Sequence, residues 1–241
     1  LLIATLGHAG RLPEADQQGV AALDWCAAHL PADSSSIAFV TAQHANVLGL
    51  LGQFDAAERG FRAAEEVFRT KVGENFLWRA DFLRLQADSR LRAALARNPR
   101  APALADAEAA ALEADRIYRA TIGEGYVYYP QMRRTLGTLA CLGPDPAQRA
   151  EALVQLRRAI TDEAQKSPQN ALWLGLAETA YAQCALHLET DGAGLASRSE
   201  ALAHANQAVT RLREAVGVDD GRFREAAAVL AALRDLPAPV E

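Results

Sequence analysis

Lysine is almost missing from this chain. Only Lys71 and Lys166 occur, so the 25 basic side chains are nearly all arginine, and they are interleaved with 30 acidic ones to a net charge of −5. No block of one sign exists to neutralise a polyanion, which argues against nucleic acid or an anionic membrane as partner. Aromatic residues make up only 6% and β-branched residues are sparse, whereas alanine is abundant; closely packed helices suit that composition better than sheets, and the fold class expected is all-α. Cysteine is represented by Cys26, Cys141 and Cys184, an odd and widely spaced set without a metal-ligand pair. They read as buried structural thiols, a reading that fits a reducing compartment. The longest uncharged run, Ser34 to Phe54, holds Gln43, His44, Asn46, Gly49, Gly52 and Gln53, residues that are costly in lipid, so no membrane insertion is expected. The first residues, Leu1-Leu2-Ile3-Ala4, carry neither an initiating Met nor a charged leader, so the chain reads as a piece of a longer protein.

Chemistry-bearing motifs are lacking too. There is no Gly-rich phosphate loop, His-Glu-x-x-His helix, Cys-x-x-Cys pair or Gly-x-Ser-x-Gly turn, so catalysis, a cofactor and a metal are not expected in this region. The histidines at 8, 29, 44, 187 and 204 are scattered. His44 falls at a packing position of a helix and reads as a partly buried core residue. Glu65-Glu66 and Asp219-Asp220 are sequence neighbours that diverge on a helix or cap its start, so they do not form acid/base pairs.

What the chain does contain is a repeat. In Val47 to Glu74, apolar or small residues at Leu48, Leu51, Phe54, Ala57, Phe61, Ala64, Val67 and Phe68 keep three- and four-residue spacing on both sides of Gly52-Gln53. That spacing predicts two amphipathic helices meeting at a tight turn. Gly10-Arg11-Leu12-Pro13-Glu14-Ala15 repeats Gly52 to Ala57 at an offset of 42 residues, and Leu104, Ala107-Glu108, Ala114, Ile117-Tyr118-Arg119 and Ile122-Gly123-Glu124 repeat Phe54 to Glu74 at an offset of 50. The added eight residues fall near the loop of Arg97 to Pro102, where an insertion costs little. A fourth unit turns at Gly143-Pro144-Asp145-Pro146, a fifth has a long linker from Glu189 to Ser199, and Arg222 to Leu236 forms a last helix before Pro237 and Pro239. The units expected are about 1–34 (first helix truncated), 35–76, 77–126, 127–168 and 169–220, with a terminal helix at 221–236, in one domain spanning 1–241.

These residues resemble the tetratricopeptide repeat (TPR): Ala57-x3-Phe61-x2-Ala64, Leu136-Gly137-x2-Ala140 and Trp173-x2-Leu176-Ala177-x2-Ala180 follow its outline over nearly the whole chain. The longer period and the Val72-Gly73-Glu74 and Ile122-Gly123-Glu124 elements look like the kinesin-light-chain-like variety. The resemblance implies a right-handed α-α superhelix whose small residues, Ala45, Ala57, Ala64, Ala87, Ala107, Ala114, Gly137, Ala152 and Ala177, let helices cross closely. It also implies a concave groove lined by first helices, where a peptide lies. By register the groove residues are Phe39, Gln43 and Asn46; Asp81, Arg84, Asp88 and Arg92; Gln131, Arg134 and Thr138; and Leu174, Glu178 and Tyr181. The function expected is that of a noncatalytic protein- or peptide-binding scaffold, cytoplasmic or else extracytoplasmic beyond a membrane span. It would belong to a larger bacterial protein such as a serine/threonine kinase, or serve as the peptide-sensing domain of a transcriptional regulator. Three guanidiniums grouped around Asp88 favour an acidic ligand, while the scarcity of lysine speaks against the Lys/Asn carboxylate clamp of chaperone-binding relatives.

Overall fold

The computed structural model describes residues 2–73, 75–97, 104–190 and 197–236. Glu74, most of the loop before Leu104, the Asp191-Gly192-Ala193-Gly194 linker, Pro237 and Pro239 lie outside the described residues. Among those described, the chain is all-α without strand: α1 Leu2–His8, α2 Leu12–His29, α3 Ser35–Leu50, α4 Phe54–Val67 with a π-helical turn Phe68–Val72, α5 Leu77–Arg97, α6 Ala105–Thr121, α7 Tyr129–Leu142, α8 Pro146–Lys166, α9 Ala171–Thr190, α10 Arg198–Val216 and α11 Gly221–Asp235. Two compact units divide at Thr135 and Leu136, inside α7.

The helix ends follow from local chemistry. Gly10 and Gly52, at matched places in the repeat, take φ of 74° and 78° and close α1 and the α3–α4 turn. Gly73, Gly123 and Gly217 take φ of 111°, 75° and 82° just after the second helices, a left-handed geometry that side chains with a Cβ resist. Ser34, Asp145, Ser197 and Asp220 cap α3, α8, α10 and α11 by accepting backbone N–H groups.

In unit 1 (Leu1–Thr135), α3 and α4 run antiparallel. A Cβ at Gly60 would lie 2.9 Å from that of Ala45, and one at Gly49 would lie 3.7 Å from that of Ala57. α5 and α6 are likewise antiparallel, since Asp81 meets Tyr118 while Arg90 meets the carbonyl of Asp106. The first helices lie side by side and parallel. Phe39 of α3 touches Trp78 and Phe82 of α5, and ten residues later Gly49 faces Ser89. Asp81 of α5 then meets Tyr126 ahead of α7, and Asp88 meets Arg134 and Thr135 within it. Ala38, Ala42, Ala45, Ala57, Phe61, Ala64, Phe68 and Phe82 form one core cluster; Ile3, Leu6, Ala15 and Val47 form another, under α1 and α2. His44 is buried, hydrogen-bonds Asp16 at 2.6 Å and packs its ring against Gly19, as its packing position implies.

In unit 2 (Leu136–Glu241), Gly137 of α7 lies against Leu156 of α8, and Gly175 of α9 against Leu212 of α10. α9 is buried on nearly every side, and α11 completes its cover, with Leu153, Leu156, Tyr181, Leu188, Val229, Leu230 and Leu233 in the core. All nine small residues expected at the helix crossings are buried. The cysteine expectation is corrected here. Cys141 of α7 and Cys184 of α9 form a disulfide, with Cα atoms 5.8 Å apart, and only Cys26 is a buried free thiol. The pair is 43 residues apart, close to one repeat period, and helices that stack side by side bring such equivalent positions together.

Candidate functional site

The sequence of α5 is unusual for a packed helix. It buries Ala80, Phe82, Leu83, Ala87 and Leu91, and with them Arg79, Arg84, Gln86, Asp88 and Ser89. Charges removed from water need partners, and two separate sets supply them.

The first set ties α5 to the second helices. Arg79 donates to Glu65 (2.8 Å) and Glu113 (2.9 Å), and Arg90 donates to Glu58 (2.7 and 3.0 Å) and to the carbonyl of Asp106 (2.8 Å). Burial would raise the Glu58 carboxyl, but its bonds from Arg90 and Arg62 outweigh that and hold it below the usual range. A cleft of about 480 Å³ opens beside this set, with Phe54, Arg62, Ala93, Ala94, Arg97 and Asp106 in its lining. Its charges bind one another, as Arg97 does Asp55 at 2.9 Å. Partners as distant in sequence as Glu58 and Arg90 share no local pattern, so this clamp was invisible before folding.

The second set runs between α5 and α7 and contains several of the expected groove residues. Tyr118 and Tyr126 donate to Asp81 at 2.6 and 3.1 Å. Burial dominates there and raises the Asp81 carboxyl, although both hydroxyls and Arg84 pull the other way. Two helical turns on, Asp88 accepts from Arg134 at 2.6 Å and from Thr135 at 2.8 Å, with Arg84 Nη1 3.7 Å away. Burial acts to raise Asp88 as well, yet Arg134, Arg92 and Arg84 together hold it below the ordinary range. The guanidiniums thus do gather around Asp88, but as a largely buried network: Arg84, Asp88 and Gln131 are covered, while Asp81, Arg92 and Arg134 are half-buried.

At the other edge of this face, Phe39 packs against Phe82 and against Trp78, whose ring is 5.3 Å away and whose surface is 50% exposed. Sequence reasoning passed over Trp78, whose place at the start of a first helix was readable but whose exposure was not. Gln43 and Asn46, farther along α3, are half-buried.

The remaining expected groove residues fall in unit 2. Thr138 on α7 is half-buried. Leu174, Glu178 and Tyr181 on α9 are buried and present no surface to a ligand in this conformation, because α9 is enclosed by its neighbours in that unit. Arg211 donates to Glu178 at 3.1 Å; burial nevertheless pushes the Glu178 carboxyl up to about 7, against the pull of Arg211. Arg157 donates to the Tyr181 hydroxyl at 3.0 Å and clasps Glu200 at 2.9 Å. The desolvated His204 is held below its usual range.

Among the described residues no cluster of His, Cys, Asp and Glu could hold a metal ion, and no helix is long and apolar enough to cross a membrane. No protein-family model matches the chain, and no curated protein matches it in sequence.

Proposed function

We propose that the chain is a peptide-binding module built of TPR-like hairpins, and that the ligand lies along the parallel first helices α3, α5 and α7 of unit 1. In this proposal the hairpins continue as a right-handed superhelix and serve as the interaction part of a larger regulatory protein. No catalytic role is assigned. The observation that carries the reading is Trp78. A tryptophan with half its surface in water, braced by Phe39 and Phe76, is the kind of rigid apolar anchor on which binding energy concentrates. It stands on the same helix as Arg92, and Arg134 reaches that helix from α7 through Asp88, so one extended segment could engage an apolar anchor and an ionic one. The disulfide favours the extracytoplasmic alternative over the cytoplasmic one, since such bonds persist mainly in oxidising compartments.

Selection of random peptides displayed on phage against the whole chain tests this. The double variant Phe39→Ala/Trp78→Ala alters partly or largely exposed rings, and it is expected to bind the selected peptides at least about tenfold more weakly, the loss of one anchor contact. Undiminished binding by a folded double variant would contradict the proposal.

A further inference from the structure

The cleft of about 480 Å³ runs along the last turns of α5, walled by α4 and by the start of α6, and its size is that of a small-molecule site. Its floor is small and apolar: Ala93 and Ala94 of α5, Ala107 of α6 and, from α4, Phe54. Ser89 completes the lining. This residue is only 5% exposed, and no described residue hydrogen-bonds its hydroxyl. Buried hydroxyls are seldom left without a partner.

The charged lining is balanced, with Asp55, Glu58 and Asp106 set against Arg62, Arg90 and Arg97. Arg90 is fully engaged, its nitrogens on both Glu58 oxygens and on the Asp106 carbonyl. The other groups keep open valences. Arg97 holds Asp55 at 2.9 Å through Nη2 alone, and these side chains are 67% and 83% exposed; an ion pair so open to water contributes little and parts readily. Arg62 gives only its Nε, to Glu58, and the Asp106 carboxylate accepts from no described residue.

A ligand of single charge meets attraction and repulsion together at either end of this cleft, whereas a zwitterion is matched by both. Parting Arg97 from Asp55 presents a flat guanidinium edge to a carboxylate and a carboxylate to an ammonium, the two halves of an amino-acid head group. The balance of Arg62 against Asp106, together with the Ser89 hydroxyl, suits a side chain that ends in an uncharged polar group. Ser89 lies two turns before Arg97 on α5. Helical side chains lean towards the N-terminus, so the span left to bridge is nearer one turn, roughly 5 Å, within reach of a glutamine side chain. We propose that the cleft binds a free α-amino acid with an amide side chain, its head group on Arg97 and Asp55 and its amide at Ser89. No described residue of α3 or α7 lines the cleft, so the site stands or falls independently of peptide binding along the first helices.

Titration of the whole ¹⁵N-labelled chain with L-glutamine, followed by NMR, tests it. Sodium acetate and methylammonium chloride at equal ionic strength supply each half of the head group alone, and L-leucine lacks the amide. Glutamine is expected to move the backbone amides of Asp55, Ala93, Ala94 and Asp106 saturably, and to bind about fivefold more tightly than leucine, the scale of one neutral hydrogen bond. Arg97→Gln and Asp55→Asn, both at exposed positions, should each weaken glutamine about tenfold, the scale of one charge-assisted bond, with far-UV spectra unchanged. Ser89→Ala should bring glutamine down to the affinity of leucine. Shifts no different from those of acetate or methylammonium, equal affinity for leucine and glutamine in the wild type, or full affinity in folded Arg97→Gln would each overturn the site.

Discussion

Replacing glycine by alanine at four helical sites should change stability in opposite directions, and the structure fixes the sign at each. Inside a helix the change is worth about 1 kcal/mol in favour of alanine. At Gly7 of α1 the new Cβ would meet only Val47 Cγ2 at 3.7 Å, an ordinary contact, so Gly7→Ala should stabilise by about 0.5 kcal/mol, less than the full value because α1 is short. At Gly137 the Cβ would sit 2.9 Å from Leu156 Cγ and 3.0 Å from its Cδ2, and at Gly175 it would sit 2.8 Å from Leu212 Cγ and 3.3 Å from Arg211 Cβ. Both leucines are fully buried and have little room to turn aside. At Gly60 the neighbour is Ala45 Cβ at 2.9 Å, which has no rotamer to change, so α3 and α4 must separate. Overpacking of this kind costs about 1–3 kcal/mol. After subtraction of the helix gain, Gly137→Ala and Gly175→Ala should lose up to about 2 kcal/mol, with Gly60→Ala at the high end of that range. Urea titrations followed at 222 nm would measure this. If Gly60→Ala and Gly137→Ala were as stabilising as Gly7→Ala, the close crossings described here would be wrong.

Further outcomes follow from the same structure. Ala57→Leu and Ala107→Leu, at fully packed crossings, should each destabilise by about 1–3 kcal/mol in thermal melts. The Cys141–Cys184 bond closes a separation of 43 residues, so reduction, or Cys141→Ser with Cys184→Ser, should remove up to about 4 kcal/mol from unit 2; melts unaffected by reductant would show that the bond contributes nothing. The folded Glu178 carboxyl is raised from 4.5 to about 7. Its stabilising effect is therefore complete below about pH 4.5 and declines as pH rises towards 7, by about 2 kcal/mol after allowance for screening. His204, held below 6.5, contributes the opposite slope on acidification. The comparison is therefore between wild type and Glu178→Gln: their stability difference should change across pH 4.5–7, and a constant difference would contradict the assignment.

The repeat was legible because its markers are local. Gly10, Gly52, Gly73, Gly123 and Gly217 all take the left-handed backbone that helix ends require, and alanines spaced for one helix face are those that become buried crossings. The grouping of Arg84, Arg92 and Arg134 about Asp88 was legible too, since four-residue spacing puts Arg84, Asp88 and Arg92 on one face and the repeat register sets Arg134 on the neighbouring first helix. What sequence could not convey was depth. Whether Arg84 or Tyr181 faces water depends on how closely the next helix approaches, which is set by side chains dozens of residues away. Arg157, which covers Tyr181, comes from α8, and α9 is enclosed by α10 and α11. The disulfide was hidden for the same reason, its partners being neighbours only after stacking. Trp78 belongs with them, since a tryptophan in a helix's first turn is as often covered as open and its 50% exposure is set by the packing of α3 against α5.

The central claim, that ligands engage the parallel first helices of unit 1, is most directly tested by mapping amide chemical-shift changes as a selected peptide is added to the ¹⁵N-labelled chain. The account predicts that the changes cluster at Phe39, Gln43, Trp78, Arg92 and Arg134. Changes confined to α4 and α6, around the cleft beside Glu58 and Arg90, would contradict it.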